Sequence, residues 1–362
     1  MSAVAMLLIV GCAPAAGEPA DRGKPLSPTV PTSTLHVSPD GDDENAGTGT
    51  QPFRTIDRAA AAARQGVQIV IAPGTYPTPV HTQVSGTSTD RIAFVAGPGG
   101  PVVLTGSNTE EPVWRNTGDY VDIVGFEMSG DALVGLQNEG SYVRIVGNRV
   151  HDVPRGSCIN SGAGDYSAHD IDVLGNTVWG CGRSRLEHGI YMSNPNGLVA
   201  NNIAYGNSGF GIHCWHNCNA LTITNNLVFA NGQGGMVIGQ GDAPNNGDVP
   251  ADNFLVANNI VVANARLGIV ESGATGPRNR YVNNLVWGNG EEGIGLQLGE
   301  QVGTIIADPA FVDFRHDGSG DYRLADGSPA LDAGVSEGAP ETDVGGVSRP
   351  QGRAVDLGPF ER

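Results

Sequence analysis

The chain has 362 residues, of which 54 are glycine and 39 % hydrophobic, and its formal charge is −18. That is enough apolar material for a core, which excludes wholesale disorder. There is no Gly-X-Y period, which excludes collagen, and the acidic balance argues against a nucleic-acid partner. No apolar run of spanning length follows the N-terminus. Lys24 is the sole lysine and 19 arginines supply the other basic groups, so a catalytic lysine has almost nowhere to come from.

Residues 1–12 read as a lipoprotein-type signal segment. Ala3 to Val10 are apolar, and Ile9-Val10-Gly11-Cys12 resembles a bacterial lipobox with Cys12 as the lipidated residue, although no Lys or Arg precedes the apolar run. Residues 13–34, rich in Ala, Pro, Gly, Ser and Thr, read as a flexible tether. The expectation is an exported monomer, extracellular or held at a membrane only through the N-terminal lipid. Export permits disulfides among Cys158, Cys181, Cys214 and Cys218; Cys214 and Cys218 are close enough to clip one loop, but spacing does not fix the pairing.

From residue 120 the chain repeats itself. The segments YVDIVGFEM, YVRIVGNRV, DIDVLGNTV, GLVANNIAY, ALTITNNLV, FLVANNIVV and RYVNNLVWG align on Gly125, Asn148, Asn176, Asn202, Asn226, Asn259 and Asn284, with gaps of 23, 28, 26, 24, 33 and 25 residues. Asp308 in IIADPAF follows after another 24. Each unit carries a second short alternating segment opened by Gly or Cys: SCINSG, HGIYMS, FGIHCWH, GGMVIGQ, LGIVESG, EGIGLQL. A period in the twenties built from short strands predicts a parallel β-solenoid, in which no coil buries its apolar face alone. The recurrent Asn residues fit left-handed turns and side chains stacked from coil to coil. Thr55 to Arg64 read as a helix capping the open end, where strand edges invite aggregation.

SPDGDDENAGTGTQPFRTI and VIAPGTY resemble the N-terminal signature of bacterial pectate lyase-like right-handed β-helix proteins, and DYRLADGSPALDAG with DVGGVSRPQGRAVDLGPFE resembles their C-terminal segment. The coils GIYMSNPNGLVANN and GIHCWHNCNALTITNN are similar to those of polysaccharide lyases and mannuronan C5-epimerases. The resemblance implies an all-β chain: a single-stranded right-handed parallel β-helix over 35–362, with an N-terminal cap over about 35–76 and a C-terminal cap segment over about 303–362. It also implies an enzyme acting on a uronate-containing polysaccharide, by β-elimination or C5 epimerisation. In such lyases the base is Lys or Arg with calcium on the substrate carboxylate; here Lys24 falls in the tether, and Arg183 and Arg185 remain.

Strand parity gives the candidate site. Ile159, Ile190, Ile212, Met236, Ile269 and Ile294 must face the core, so the next residues face out: Asn160, Tyr191, His213, Val237, Val270 and Gly295. Two places on come Gly162, Ser193, Trp215, Gly239, Ser272 and Gln297. The functional side chains concentrate on three successive coils. Residues 144–216 hold five Arg against five acids, with five of the eight histidines, so a polyanion is not repelled there. His213 is the expected base, Tyr191 the acid, and Asn160 the partner of the substrate carboxylate, with Trp215 as a stacking platform and Arg183, Arg185, His188 and His216 as further substrate contacts. The plainer assignments are a surface histidine, a packing tyrosine and a turn asparagine. A zinc site at Cys214, His216 and Cys218 and a calcium site at Asp40 to Asn45 are the metal alternatives. A glycoside hydrolase would need two facing carboxylates, from Glu187, Asp242, Glu271 or Glu292. The non-enzymatic alternative is a surface carbohydrate-binding β-helix.

Overall fold

The computed structural model describes residues 31–162, 164, 166–241 and 249–362, without the side chain of Glu292. Cys12, the signal segment and nearly all of the tether lie outside these residues. Ser33 and Thr34, expected in the tether, belong instead to the strand Ser33–Val37, which pairs with Val67–Ile71.

Each coil lays down three short strands in the same order, and each strand pairs in parallel with its counterpart one coil away. The described residues form parallel sheets of 11, 9 and 9 strands. The first sheet runs from Ser33–Val37 to Glu300–Val302, the second from Gly74–Tyr76 to Leu285–Trp287, and the third from Val80–Thr82 to Glu292–Gly295. Alternation sends every second side chain inward, so Ile123, Ile145, Val173 and Ile223 stack in one fully buried column of the first sheet. Near the N-terminal end Trp114 fills the interior between Phe94 and Phe126, with ring centroids 5.4 and 5.0 Å away.

The expected helix is present as Ile56–Ala62. Thr55 caps it, its hydroxyl accepting from the Arg58 N–H at 3.2 Å. Ile56, Ala59 and Ala60 point into the solenoid and close its first coils. Asp43 holds the cap from behind: its carboxylate accepts from the N–H groups of Arg54 and Thr55 and from the Thr55 hydroxyl, all at 2.9 Å. Burial opposes ionisation of Asp43, yet these bonds keep its carboxyl below the ordinary value. The acidic turn Asp40 to Asn45 thus has a structural role at the cap.

The asparagines form two ladders. The first runs Asn148, Asn176, Asn202, Asn226, Asn259 and Asn284, and from Asn176 on each Oδ1 accepts both the backbone N–H and the side-chain N–H of the Asn one coil earlier, at 2.9–3.1 Å. A second ladder links Asn207, Asn231, Asn264 and Asn289 in the same way. Gly125, aligned with the first ladder by sequence, pairs in register with Gly147. Phe126 takes the ladder place and donates its N–H to Asn148. Asp308 is likewise outside the ladder: Ile305 bridges Leu285, which puts Thr304 opposite Asn284.

Beside the second ladder the facing residue must be glycine. A Cβ on Gly189, Gly211 or Gly235 would lie 2.8, 2.7 or 3.1 Å from the Nδ2 of Asn207, Asn231 or Asn264. One coil earlier both places change together: Cys158 stands in register with Gly189, Cys181 donates its N–H to Asn207, and the two cysteines form a disulfide. Cys214 and Cys218 are buried free thiols, so the loop clip between them is not formed.

The first residue of each Asn-Asn pair turns the corner between the first and second sheets. Asn201, Asn225, Asn258 and Asn283 have φ of 57, 53, 56 and 49°, the left-handed region that Asn tolerates. Their side chains point outward and donate to the carbonyls of Thr342, Asp356, Val335 and Ala333. The C-terminal segment therefore lies as a strap along the flank. Its Tyr322, Leu324, Ala330 and Leu357 pack on Tyr205, Leu227, Phe229 and Ile260 of the second sheet.

Candidate active site on the third sheet

The third sheet brings Asn160, Tyr191 and His213 into direct register on neighbouring coils. The flanking inward residues Ile159, Ile190, Ile212, Met192 and Cys214 are all fully buried, so the parity argument places the triad on the outer face. Outward does not mean exposed, however: Asn160, Tyr191, His213, Trp215 and His216 are each only partly accessible.

A cluster of rings covers His213. The Tyr191 ring meets it edge-on, centroids 4.7 Å apart, and Trp215 lies 5.6 Å away. His188, expected to touch substrate, is 2 % exposed and lies face to face with His213 at 3.9 Å. It supports His213 from behind. Its Nδ1 accepts from the Phe210 N–H at 3.0 Å, which puts the His188 proton on Nε2. Burial pushes the His188 pKa down to about 3. Burial, then repulsion from His188 and His216, pushes His213 well below its ordinary value too. Both rings are neutral at neutral pH.

Among the described residues, the Nδ1 of His213 and the Oδ1 of Asn160 are buried yet have no hydrogen-bond partner. Two polar atoms on one column, two coils apart, thus lack a protein partner. His216 stacks under Tyr166, centroids 4.5 Å apart, and Tyr166 accepts at its carbonyl from Asn217. Tyr166 belongs to the cluster but was not visible in the sequence, because it stands in a loop outside any periodic strand.

The Trp215 indole lies over three glycines. A Cβ on Gly239, Gly241 or Gly273 would approach it to 2.6, 2.4 or 3.2 Å. Arg183 and Arg185 are exposed on the loop before the Tyr191 strand. That loop is tied by Glu187, whose carboxylate accepts from the N–H groups of Arg183 and Ser184 at 3.1 and 2.5 Å.

Two of the carboxylates considered for hydrolysis, Glu187 and Glu271, are otherwise engaged. Glu271 points into the solenoid and accepts from the Tyr281 hydroxyl, the Asn279 amide and the N–H groups of Gln297, Leu298 and Gly299. Asp242 and the Glu292 side chain lie outside the described residues. Among the described residues no three of His, Cys, Asp and Glu converge as metal ligands, Cys214, His216 and Cys218 included. The groups around His213 are imidazole, phenol and amide, a donor set unlike the carboxylate oxygens that calcium takes.

Several known proteins share this architecture. The structure of pectate lyase Pel9A superposes with a TM-score of 0.68 at 18 % identity, covering 92 % of this chain and 97 % of that one. A complex of XylC with xylose superposes at 0.55 and 13 % identity, covering 90 % and 98 %. By sequence, 74 residues are 38 % identical to uncharacterized protein YwoF of Bacillus subtilis, over 20 % of this chain and 16 % of that one. Over 83 residues the chain is 35 % identical to pectate lyase PEL9 of Emericella nidulans, over 22 % of this chain and 20 % of that one. The chain therefore matches about a fifth or less of the length of these curated relatives. The family described as Pel9A-like, right-handed β-helix region matches residues 35–301. Its register, its coil and its sheet order agree with that match, and the chain belongs to the Pel9A-like right-handed β-helix family.

Proposed function

We propose that the protein is a polysaccharide lyase that cleaves a uronate-containing polymer by β-elimination, with His213 as the base. The observation that supports this most is the stacked column Asn160, Tyr191, His213, in which the His213 Nδ1 and the Asn160 Oδ1 carry no protein hydrogen bond. The match over 83 residues to pectate lyase PEL9 points the same way.

The chemistry fits the groups present. The C5 proton of a uronate is weakly acidic, so removing it requires a neutral base and stabilisation of the charge that develops on the carboxylate. His213 is neutral because it is buried among His188 and His216. The Asn160 amide donates toward the carboxylate through its Nδ2, while its unpartnered Oδ1 accepts from a hydroxyl of the sugar. The C5–H electrons form the C4–C5 double bond, the C4–O bond breaks, and the leaving oxygen takes a proton from Tyr191, edge-on to His213. Trp215, flat on its glycines, offers its ring to a sugar face. The disulfide Cys158–Cys181 suits an exported protein, as does a lipid on Cys12.

Incubation with a panel of uronate polymers tests the proposal. The expected result is a rise in the ultraviolet absorbance of unsaturated uronate, reduced about 100-fold or more in His213→Gln. Changed uronate composition without that absorbance would instead make the enzyme an epimerase. Binding without any chemical change would make it a carbohydrate-binding module.

A further inference from the structure

The site's two outward columns continue toward the N-terminal coils, beyond the part that the sequence singled out. Register carries Asn160 back to Gln137, Arg115 and His81. The parallel column carries Gly162 back to Glu139, Thr117 and Gln83. Every side chain of these two columns on these coils is polar, whereas beyond His213 the first column turns to Val237 and Val270, which are buried.

At the N-terminal end the columns enclose a cavity of about 170 Å³ lined by His81, Thr82, Gln83, Arg115 and Thr117. Its walls are set in advance. The Arg115 guanidinium is gripped through Nε and Nη2 by the two oxygens of Glu139, both at 3.0 Å. Glu139 is also held by the Gln137 amide. The His81 N–H donates to Asp57 of the capping helix at 2.8 Å. A guanidinium has five N–H donors, and the Glu139 fork uses two, so Arg115 keeps donors for a ligand. Its side chain is 45 % exposed.

We propose that this pocket is a distal sugar subsite, holding a residue of the same polymer through Arg115 and the surrounding amide, hydroxyl and imidazole groups. This rests on the functional reading above. Four coil spacings separate Arg115 from His213, about 19 Å at the usual strand spacing. An extended pyranose chain advances by about one strand spacing per residue. A chain with its reacting residue at His213 reaches the Arg115 pocket some four residues on, and runs toward the capping helix.

A length series of oligogalacturonates and oligomannuronates, from dimer to octamer, tests this. For wild type, kcat/KM is expected to step up about tenfold once the oligomer spans the pocket, and the step is lost in Arg115→Gln. Thr117→Phe, which fills the pocket from an exposed position, should lose it as well. The same series is titrated calorimetrically into His213→Gln, with and without Arg115→Gln. A length step in affinity that Arg115→Gln abolishes supports the subsite even where no polymer is cleaved, which would sink only the lyase. Cleavage with no length step, or a step that survives both variants, overturns the subsite and leaves the lyase standing. No binding of either series at any length overturns the subsite.

Discussion

His188 and His213 lie face to face, their planes 14° from parallel and their centroids 3.9 Å apart. A proton on either would sit against the other ring in a largely dry cluster, so folding holds both neutral. An unfolded chain imposes no such restraint, and there each imidazole titrates near its ordinary value. Between about pH 6.5 and the depressed folded values, the unfolded state binds more protons than the folded one, and stability rises with pH.

The first prediction follows. Thermal melts should show stability falling as pH drops below about 6.5, by up to about 1.4 kcal/mol per pH unit for each ring fully protonated only when unfolded. His188→Gln should flatten that slope. Activity should keep its acid limb well below pH 6.5, because His213 stays able to accept a proton there. An acid limb centred near the ordinary histidine value would contradict a buried, His188-stacked base.

Gly241 offers a narrow test of Trp215. The three atoms nearest its absent Cβ all belong to that indole, at 2.4 to 3.2 Å. Gly241→Ala should displace the ring with little other disturbance. KM should rise several-fold with kcat changed less, since a stacking surface holds ground and transition states alike. Trp215→Ala should show the same split, and intrinsic fluorescence would report the displaced ring in Gly241→Ala.

Asn226 sits mid-ladder and makes four donated bonds, to Val199, Thr224 and Asn259. Three of them leave from its side chain, and Asn202 donates to its Oδ1 in turn through backbone and side chain. Asn226→Leu should cost more than a single hydrogen bond, on the order of 3 kcal/mol or beyond, because the neighbours lose buried partners as well. Denaturant melts of Asn226→Leu and of Asn284→Leu, at the end of the ladder, should rank the first as the more damaging.

The disulfide and the glycine–asparagine pairing occupy equivalent places, which makes them interchangeable in principle. Cys158→Ala with Cys181→Ala should lose about 2–4 kcal/mol, the usual worth of a bridge closing a loop of this size. Cys158→Gly with Cys181→Asn recreates the pair seen at Gly189 and Asn207, and should recover part of that loss. If both double variants melt alike under the same conditions, the ladder place at residue 181 does not accept an asparagine.

Period-two alternation made the solenoid and the Asn160–Tyr191–His213 column legible, since Ile190 and Met192 can be buried only if Tyr191 points out. What lay off the strands was less so. His188 precedes its strand, and only the packing of Phe210 and His213 around it fixes its direction. Tyr166 reaches the cluster through loop geometry. Arg115 and His81 escaped because coils before residue 120 lack the Gly and Asn marks of the repeat: there the inward polar column is Thr82, Asn116 and Asn138, bonded to one another by a shorter ladder of their own. Of the Asn-Asn pairs, the second member was legible as a ladder rung. The first answers to a strap far away in sequence, which no local pattern announces.

That strap has a consequence for how the molecule comes to exist. A solenoid can stack coil by coil as it leaves the ribosome or a membrane pore, each new turn needing only the one before. Here the corner amide of Asn201 waits for the carbonyl of Thr342, 141 residues later. Coils assembled early therefore pass through a provisional stage, with their corner asparagines solvated and the aromatic flank at Tyr205 and Phe229 uncovered. Residues 303–362, arriving later, act on turns already built, converting a stack of nearest neighbours into a body whose distant coils are fastened to one cord.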